Sequence, residues 1–245
     1  MDNQLIKVHS FESLGTYDGP GLRLVVFLQG CNFRCLYCAN PDTIDCKGGE
    51  PIKLDRILEM ATSQKPFFGK KGGITFSGGE PTVQAKVLIP LFQRLKEQGI
   101  HICVDTNGSI WNEEVREMLL LTDIVLLDVK EFNDSRHKNL TGNSNEQTLK
   151  TATWLEDQGK AFWLRYVYVQ GISAYEEDVR ALCEHFKGYK NLQRVEILPY
   201  HTLGVHKYEA MGLEYKLKET KENTVEQLDA VRKIFEEYFP IVYLN

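Results

Sequence analysis

The chain alternates short apolar runs with amphipathic segments over most of its 245 residues. Six runs are rich in Val, Ile, Leu or Phe and are followed by turn-forming residues, which is typical of buried β-strands. They span residues 22–29, 73–77, 100–105, 124–129, 162–169 and 194–198. Helical periodicity follows each run, at 54–63, 85–98, 112–121, 145–158, 175–186 and 224–238. A strand followed by a helix, repeated six times, predicts parallel βαβ units in an α/β fold.

Two α/β architectures agree with this pattern. One is an open doubly wound sheet, and the other is a partial (β/α)6 barrel with fewer than eight strands. No linker, charge run or low-complexity segment divides the chain, which predicts a single domain over residues 1–245. Polar residues stand directly after the predicted strands. Because the carboxyl ends of parallel strands share one face, and that face carries the active site, this placement predicts an enzyme.

Charge and hydropathy narrow the class of protein. The net charge of −5 gives no basic footprint for nucleic acid. The longest uninterrupted apolar run, 24–28, is too short to cross a bilayer. The opening residues 1–4 lack the basic and apolar stretches of a secretory signal. We therefore expect a soluble cytoplasmic protein, monomeric, with neither a membrane nor a nucleic acid as partner.

Three of the six cysteines, Cys31, Cys35 and Cys38, fall within eight residues in the spacing CxxxCxxC. In a reducing compartment, clustered thiols are typical of metal ligands. Structural zinc usually takes four protein ligands, and a ferredoxin cluster takes four cysteines. No fourth ligand is close in sequence, so a 4Fe–4S cluster here would keep one iron open. A zinc site with a remote ligand, or three thiols without metal, are the alternatives.

The loop also carries Tyr37 before the third cysteine, and in this it resembles the signature of the radical S-adenosylmethionine superfamily. Further segments resemble the activating enzymes of glycyl radical enzymes, in order and with nearly matching spacing. They are residues 6–13, 15–21, 76–80, 105–108, 127–130 and 198–204. The resemblance implies a partial barrel that binds a 4Fe–4S cluster and S-adenosylmethionine. It also implies that a 5′-deoxyadenosyl radical abstracts a hydrogen atom from a glycine.

The resemblance places the S-adenosylmethionine contacts on four parts of the chain. The residues are Tyr37, Cys38, Ala39, Gly78, Gly79, Glu80, Asp128, Val129, Lys130 and His201. Simpler roles stay open for several of them. The paired glycines suit a strand-ending turn, Asp128 and Lys130 suit a salt bridge, and His201 suits an ordinary loop. Related enzymes often carry His where this chain has Ala39.

Two further sites are implied by the same resemblance. Asp105 and Thr106 would bind a monovalent cation beside the cofactor carboxylate, although Asp105 also suits the capping of its own turn. Asp18 and Gly19 would contact a substrate peptide, although their loop also suits a rigid turn. The implied protein partners are pyruvate formate-lyase, as the glycyl radical enzyme, and a flavodoxin-like electron donor.

Three hypotheses of function remain at this stage. The leading one is activation of pyruvate formate-lyase by installation of a glycyl radical. The second is a different radical S-adenosylmethionine enzyme, either an activase of another glycyl radical enzyme or a short enzyme acting on a small molecule. Many such activases insert a cysteine-rich segment after the cluster loop, whereas residues 42–73 hold only Cys46. The third, a non-catalytic metal-stapled module or electron carrier, would need a fourth nearby ligand.

Overall fold

The computed structural model describes residues 4–244 of the chain. Its strands are β1 (Leu5–Gly15), β2 (Arg23–Leu28), β3 (Glu50–Lys53), β4 (Gly73–Gly78), β5 (His101–Thr106), β6 (Ile124–Asp128), β7 (Phe162–Tyr168), β8 (Leu192–Pro199) and β9 (Val242–Leu244). Its α-helices are α1 (Leu54–Gln64), α2 (Ala85–Glu97), α3 (Glu113–Leu121), α4 (Asp134–Thr141), α5 (Glu146–Asp157), α6 (Glu176–Phe186), α7 (Val205–Ala210) and α8 (Val225–Glu236). The six predicted strands and six predicted helices are all present, with bounds that shift by a few residues.

The strands follow the hydrogen-bonded order β3-β1-β2-β4-β5-β6-β7-β8-β9. β2 pairs with β4, and β4 with β5, in parallel. β7 pairs with β8, and β8 with β9, also in parallel. By contrast, β1 runs antiparallel to its neighbours, β2 and β3. The parallel pairs follow from the strand–helix repeat, because a helical crossover returns the chain in the same direction.

Strands β1, β3 and β9 and helices α4 and α7 were not predicted. β1 buries Ile6 and Val8 while Lys7 between them is exposed, so its period-2 signal extends over only a few residues. α4 has few apolar residues and depends on its ends. The Asn133 side chain accepts hydrogen bonds from the first-turn amides, and Gly142 closes the helix in the left-handed conformation at φ +83°.

The chain forms two compact units. The first comprises Met1–Asn32, Thr43–Thr106 and Ile110–Leu126. In it, one face of β4 packs on α2 through Phe76 and Phe92, whose ring centroids are 4.8 Å apart. Because side chains alternate along a strand, Thr75 and Ser77 lie on the opposite face of β4.

The second unit comprises Phe33–Asp42, Asn107–Ser109 and Leu127–Asn245. A buried group of apolar and aromatic side chains lies at its centre, with Cys35 and Leu36 packed against it. Arg165 on β7 lies 3.0 Å from Glu196 on β8, and both side chains are buried. Glu196 provides the partner that Arg165 needs, since a buried cation is stabilised only when it is paired.

No helix among residues 4–244 is both long enough and apolar enough to cross a membrane.

Candidate active site

The first cysteine of the CxxxCxxC loop is held by the backbone of the first unit. Cys31 follows β2, and its amide donates to the carbonyl of Ile44 at 3.1 Å. The amide of Gly30 likewise donates to Thr43 at 2.7 Å. Backbone hydrogen bonds of this kind fix where the Cys31 side chain leaves the chain, independently of the residues around it.

The other two cysteines belong to the second unit, where the loop lies on the end of α4. The amides of Arg34 and Leu36 donate to the carbonyls of Thr141 and Leu140 at 2.9 and 3.0 Å. These carbonyls are in the last turn of a helix, which leaves such groups without intrahelical partners. The loop that carries Cys35 therefore completes the hydrogen bonding of α4. This explains why so polar a helix is present at this position.

The cysteines divide into two chemical groups. All six are free thiols, and Cys31, Cys35 and Cys38 are partly exposed. Cys103 and Cys183 are fully buried, and burial raises the pKa of each thiol to about 12. Burial also raises the pKa of Cys38, against a backbone hydrogen bond from Asn40 and the charge of Lys130. Because the thiolate is the form that binds metal, the two fully buried cysteines are the least suited to that role.

Among residues 4–244, no three His, Cys, Asp or Glu side chains lie together as the ligands of one metal ion would. The assignment of a cluster to Cys31, Cys35 and Cys38 is therefore carried by their spacing and by their accessible thiols.

Gly78 and Gly79 end β4 in close contact with the segment that leads to Cys31. A Cβ atom on Gly78 would lie 2.4 Å from the amide nitrogen of Leu28, and one on Gly79 would lie 2.2 Å from the carbonyl oxygen of Gly30. Gly78 also has φ +102°. The resemblance implied that both glycines contact the cofactor, and a strand-ending turn was the alternative. In the structure, the space that a side chain would need is already filled by the protein's own backbone.

Glu80 is buried beside the two glycines. Its Oε1 accepts hydrogen bonds from the amide of Thr82 at 3.0 Å, from the Thr82 hydroxyl at 2.6 Å and from the Thr106 hydroxyl at 2.7 Å. Nearby, the hydroxyl of Ser77 donates to Asp105 Oδ2 at 2.7 Å. The predicted ligands Glu80, Thr106 and Asp105 thus lie together in hydrogen-bonded groups at the ends of β4 and β5.

Asp128 and Lys130 form an ion pair at the end of β6, with 2.7 Å between Oδ2 and Nζ. Both side chains are 15% exposed. Burial alone would lower the pKa of Lys130, but the charge and hydrogen bond of Asp128, together with Tyr37 and Cys35, raise the pKa well above its ordinary value. Lys130 is therefore a cation at neutral pH. Val129 between them is fully buried, and its amide donates a hydrogen bond to the backbone carbonyl of Arg165 at 3.1 Å.

Tyr37 lies beside this ion pair. The ammonium of Lys130 is 5.9 Å from the centre of the Tyr37 ring. The ring is buried, and burial raises the pKa of the phenol well above its ordinary value. Its hydroxyl has no hydrogen-bond partner among residues 4–244. A buried hydroxyl without a hydrogen-bond partner costs free energy. Tyr37 is therefore suited to bind a polar ligand that forms a hydrogen bond with its hydroxyl.

The remaining predicted contacts follow the third cysteine and β8. Ala39 is partly exposed, and its backbone lies against Gly204. His201 is exposed in the turn after β8. The structure thus brings Ala39 close to the segment that contains His201.

The 18–21 loop is anchored on the Thr75 face of the first unit. The carbonyl of Asp18 accepts a hydrogen bond from Thr75 at 2.6 Å. Gly19 has φ +121°, and a Cβ there would lie 3.0 Å from both Arg23 and Cys103. Since Thr75 and Ser77 are two residues apart on β4, the loop lies one side-chain layer from the Ser77–Asp105 hydrogen bond.

Sequence reasoning did not identify Arg23 as part of this arrangement. Its side chain is fully buried, and it donates to the carbonyls of Pro20 and Ile74 at 3.0 and 2.6 Å and to the Thr75 hydroxyl. A cation at the start of a predicted buried strand was the available signal. Arg23 joins the 18–21 loop to the starts of β2 and β4.

Comparisons with known proteins show the family of the chain. The family model described as Radical SAM superfamily matches residues 25–185. The chain is 42% identical to a pyruvate formate-lyase 1-activating enzyme of Escherichia coli K12 over 235 residues, covering 95% of this chain and 96% of the relative. It is 40% identical to a pyruvate formate-lyase-activating enzyme of Clostridium pasteurianum, covering 94% and 97%.

Solved structures share the fold. Streptococcus suis SuiB bound to S-adenosylmethionine matches with a TM-score of 0.71 at 16% identity, over 92% of this chain and 50% of that one. A domain of a pyruvate-formate lyase-activating enzyme from Bacteroides vulgatus matches with a TM-score of 0.60 at 23% identity, over 71% of this chain and 99% of that one. Of the two predicted architectures, the mostly parallel partial barrel is thereby confirmed. The chain belongs to the pyruvate formate-lyase activating enzymes, within the radical S-adenosylmethionine superfamily.

Proposed function

We propose that this protein installs the glycyl radical of pyruvate formate-lyase. It is a radical S-adenosylmethionine enzyme with a 4Fe–4S cluster and S-adenosylmethionine as its cofactors. The observation that carries the proposal is the similarity to activating enzymes over nearly the whole length of both chains. It extends far beyond the cysteine loop, which by itself indicates the superfamily and not the substrate.

The cysteine loop holds the cluster in this proposal, through Cys31, Cys35 and Cys38. Once bound, the cluster and S-adenosylmethionine supply one-electron chemistry that removes a hydrogen atom from a glycine. Three thiolate ligands leave one coordination position for the methionine end of S-adenosylmethionine. The accessibility of the three thiols supports this assignment, because ligands must deprotonate to bind iron.

The binding of S-adenosylmethionine is assigned to residues of the strand ends and of the cysteine loop. Asp128 and Lys130 provide one negative and one positive charge, which suits a zwitterionic amino acid group. Tyr37 provides a buried aromatic face and a hydroxyl that needs a partner. The other contacts are assigned to Ala39, Val129, His201, Gly78, Gly79 and Glu80.

A monovalent cation is assigned to Asp105 and Thr106. Carboxylate and hydroxyl oxygens are suitable ligands for a hard cation. Both residues also make hydrogen bonds at the strand ends, to Ser77 and Glu80 respectively. These bonds would hold the oxygens in place while a cation binds.

The substrate peptide is assigned to Asp18 and Gly19. A buried glycine of the partner must leave its own core to be reached, so the peptide binds here as an extended segment. The anchored loop suits this role, because Arg23 and Thr75 fix its backbone before the peptide arrives. A loop that is already ordered loses less conformational entropy on binding.

The electron donor, the oligomeric state, the cellular location and the domain organisation belong to the same proposal. We assign a flavodoxin-like protein as electron donor, a monomeric state, a cytoplasmic location and a single radical S-adenosylmethionine domain over residues 1–245. In support of a single domain, the family match at 25–185 runs through parts of both compact units.

Electron paramagnetic resonance tests the function directly. We expect a glycyl radical signal when the reconstituted protein is mixed anaerobically with pyruvate formate-lyase, a reductant and S-adenosylmethionine. Peptides that copy the glycine loop of the partner should support 5′-deoxyadenosine formation. The Asp18→Ala variant should weaken this peptide dependence and leave the iron content unchanged. Omission of S-adenosylmethionine is the control, and a strong radical on a different glycyl radical enzyme, with none on pyruvate formate-lyase, would overturn the partner.

The ion pair gives a second test. Asp128→Asn or Lys130→Met should weaken S-adenosylmethionine binding by at least about tenfold, or ~1.4 kcal/mol, because each removes one of the two charges assigned to the zwitterionic end of the cofactor. The affinity is measured from the change in the spectrum of the reduced cluster as S-adenosylmethionine is added. Lys138→Met is the matched control, since it breaks the exposed pair with Asp134 in the same unit. Equal affinities in all four proteins would place the cofactor elsewhere.

A further inference from the structure

Helix α7 and the glycine before it contact the residues that follow Cys38. Gly204 packs on Ala39 so closely that a Cβ would lie 2.6 Å from the Ala39 carbonyl oxygen and Cα. One turn later, the ammonium of Lys207 donates to Asn40 Oδ1 at 2.8 Å and lies 3.1 Å from Asp42. The segment after the third cysteine is therefore held by both backbone packing and side-chain pairing.

Tyr208 on the same helix contacts the third cysteine itself. Its hydroxyl donates to the carbonyl of Cys38 at 3.1 Å. Tyr208 is in turn held in place, because its ring packs edge-on against Tyr215 with centroids 5.0 Å apart. The hydroxyls of Tyr215 and Tyr200 are 2.7 Å apart. The contact therefore belongs to a buried aromatic group and not to a mobile surface side chain.

These contacts converge on the sulfur of Cys38. Burial raises the pKa of the Cys38 thiol, and a hydrogen bond from the Asn40 backbone opposes that rise. Lys207 holds the side chain of this same Asn40. Helix α7 therefore contacts both Cys38 and the residue whose backbone interacts with the Cys38 sulfur.

Amide hydrogen bonds to cysteine sulfur matter for an iron–sulfur cluster. They stabilise the reduced, more negative state and so raise the reduction potential. A cation close to the ligand acts in the same direction. An enzyme whose cluster must accept an electron before S-adenosylmethionine is cleaved depends on the reduction potential of that cluster.

We propose that α7 is a positioning element for the cluster, in which Lys207 and Tyr208 hold the Cys38–Asp42 segment and thereby set the reduction potential. The inference rests on the proposed assignment of Cys38 as a cluster ligand. Neither residue touches the cluster in this proposal. Lys207 acts through Asn40, and Tyr208 acts through the backbone of Cys38.

Potentiometric titration of the reconstituted holoenzyme tests this proposal. Lys207→Met removes the ammonium and keeps the aliphatic stem. It should lower the equilibrium constant for cluster reduction about fivefold, a shift of about 40 mV to more negative potential at 59 mV per tenfold change. Tyr208→Phe removes one hydrogen bond, keeps the ring, and should shift the potential in the same direction. Both should load iron as fully as the unmodified protein.

Lys216→Met is the matched control, because Lys216 is an exposed lysine of the following loop, paired with Glu214. Its potential should equal that of the unmodified protein. Unchanged potentials in both Lys207→Met and Tyr208→Phe would overturn the proposal. If Lys207→Met does not load a cluster, Tyr208→Phe alone decides. Absence of a cluster from the unmodified protein would instead overturn the proposed function, so the two failures are distinguishable.

Discussion

Replacement of Cys31, Cys35 or Cys38 by Ala should remove the 4Fe–4S cluster and reduce cleavage of S-adenosylmethionine by more than about 100-fold, or ~2.7 kcal/mol. The cluster has only these three protein ligands in our proposal, so the loss of one leaves two open irons. Iron and sulfide content after anaerobic reconstitution, together with the rate of 5′-deoxyadenosine formation, measure the effect.

Cys46→Ala provides the control for this series. Cys46 is exposed and follows the segment that pairs with Gly30 and Cys31, but it stands outside the CxxxCxxC motif. Its replacement should leave iron content and activity unchanged. Stoichiometric zinc in the purified protein, with no recoverable cluster, would contradict the assignment of these cysteines.

Gly79→Ala should destabilise the protein by about 2–3 kcal/mol and impair loading of the cluster. The new Cβ would lie 2.2 Å from the carbonyl oxygen of Gly30, a backbone atom that cannot rotate away. Relief of this clash requires movement of the segment that ends in Cys31. The free energy of unfolding of the reduced protein without cluster is measured by urea denaturation, and iron content is measured separately.

Gly188→Ala is a close control for this variant. A Cβ on Gly188 would meet no atom within 4 Å, and the residue does not have a positive φ. Its replacement should change the free energy of unfolding by no more than about 0.5 kcal/mol. If Gly79→Ala were as stable as Gly188→Ala, the tight junction between β4 and the cysteine loop would be contradicted.

Local patterns predicted most of the regular structure. The strands and helices of the βαβ repeat were visible because buried strands and amphipathic helices carry strong periodic signals. The start of α3 is likewise a local feature, since Asn112 Oδ1 accepts a hydrogen bond from the amide of Val115 at 2.8 Å. Helices α4 and α7 were not predicted. Both helices contact the cysteine loop, which is far away in the sequence. A short window of sequence does not contain these partners, so it does not predict the helices.

In the candidate site, too, features of neighbouring residues were predicted and long-range contacts were not. Spacing predicted that Asp128 and Lys130 would face the same side, because alternate residues of a strand do so, and they form an ion pair. The close neighbour of Gly79, the carbonyl of Gly30, was not predicted, because it lies 49 residues earlier in the chain. The roles of Arg23 and Tyr208 were not predicted, because their hydrogen-bond partners are defined only after folding.

The sequence by itself determined the strand–helix repeat, the three-cysteine loop and the family, because periodicity and motif spacing are properties of neighbouring residues. Only the tertiary structure decided how that loop is held. The amides of Arg34 and Leu36, on either side of Cys35, donate to the carbonyls of α4. The backbone after Cys38 is fixed by Tyr208 and Lys207, which are 170 and 165 residues from their partners Cys38 and Asp42. Contacts between residues so distant in the chain depend on the packing of whole elements, and packing is set by shape and by the pairing of every buried polar group.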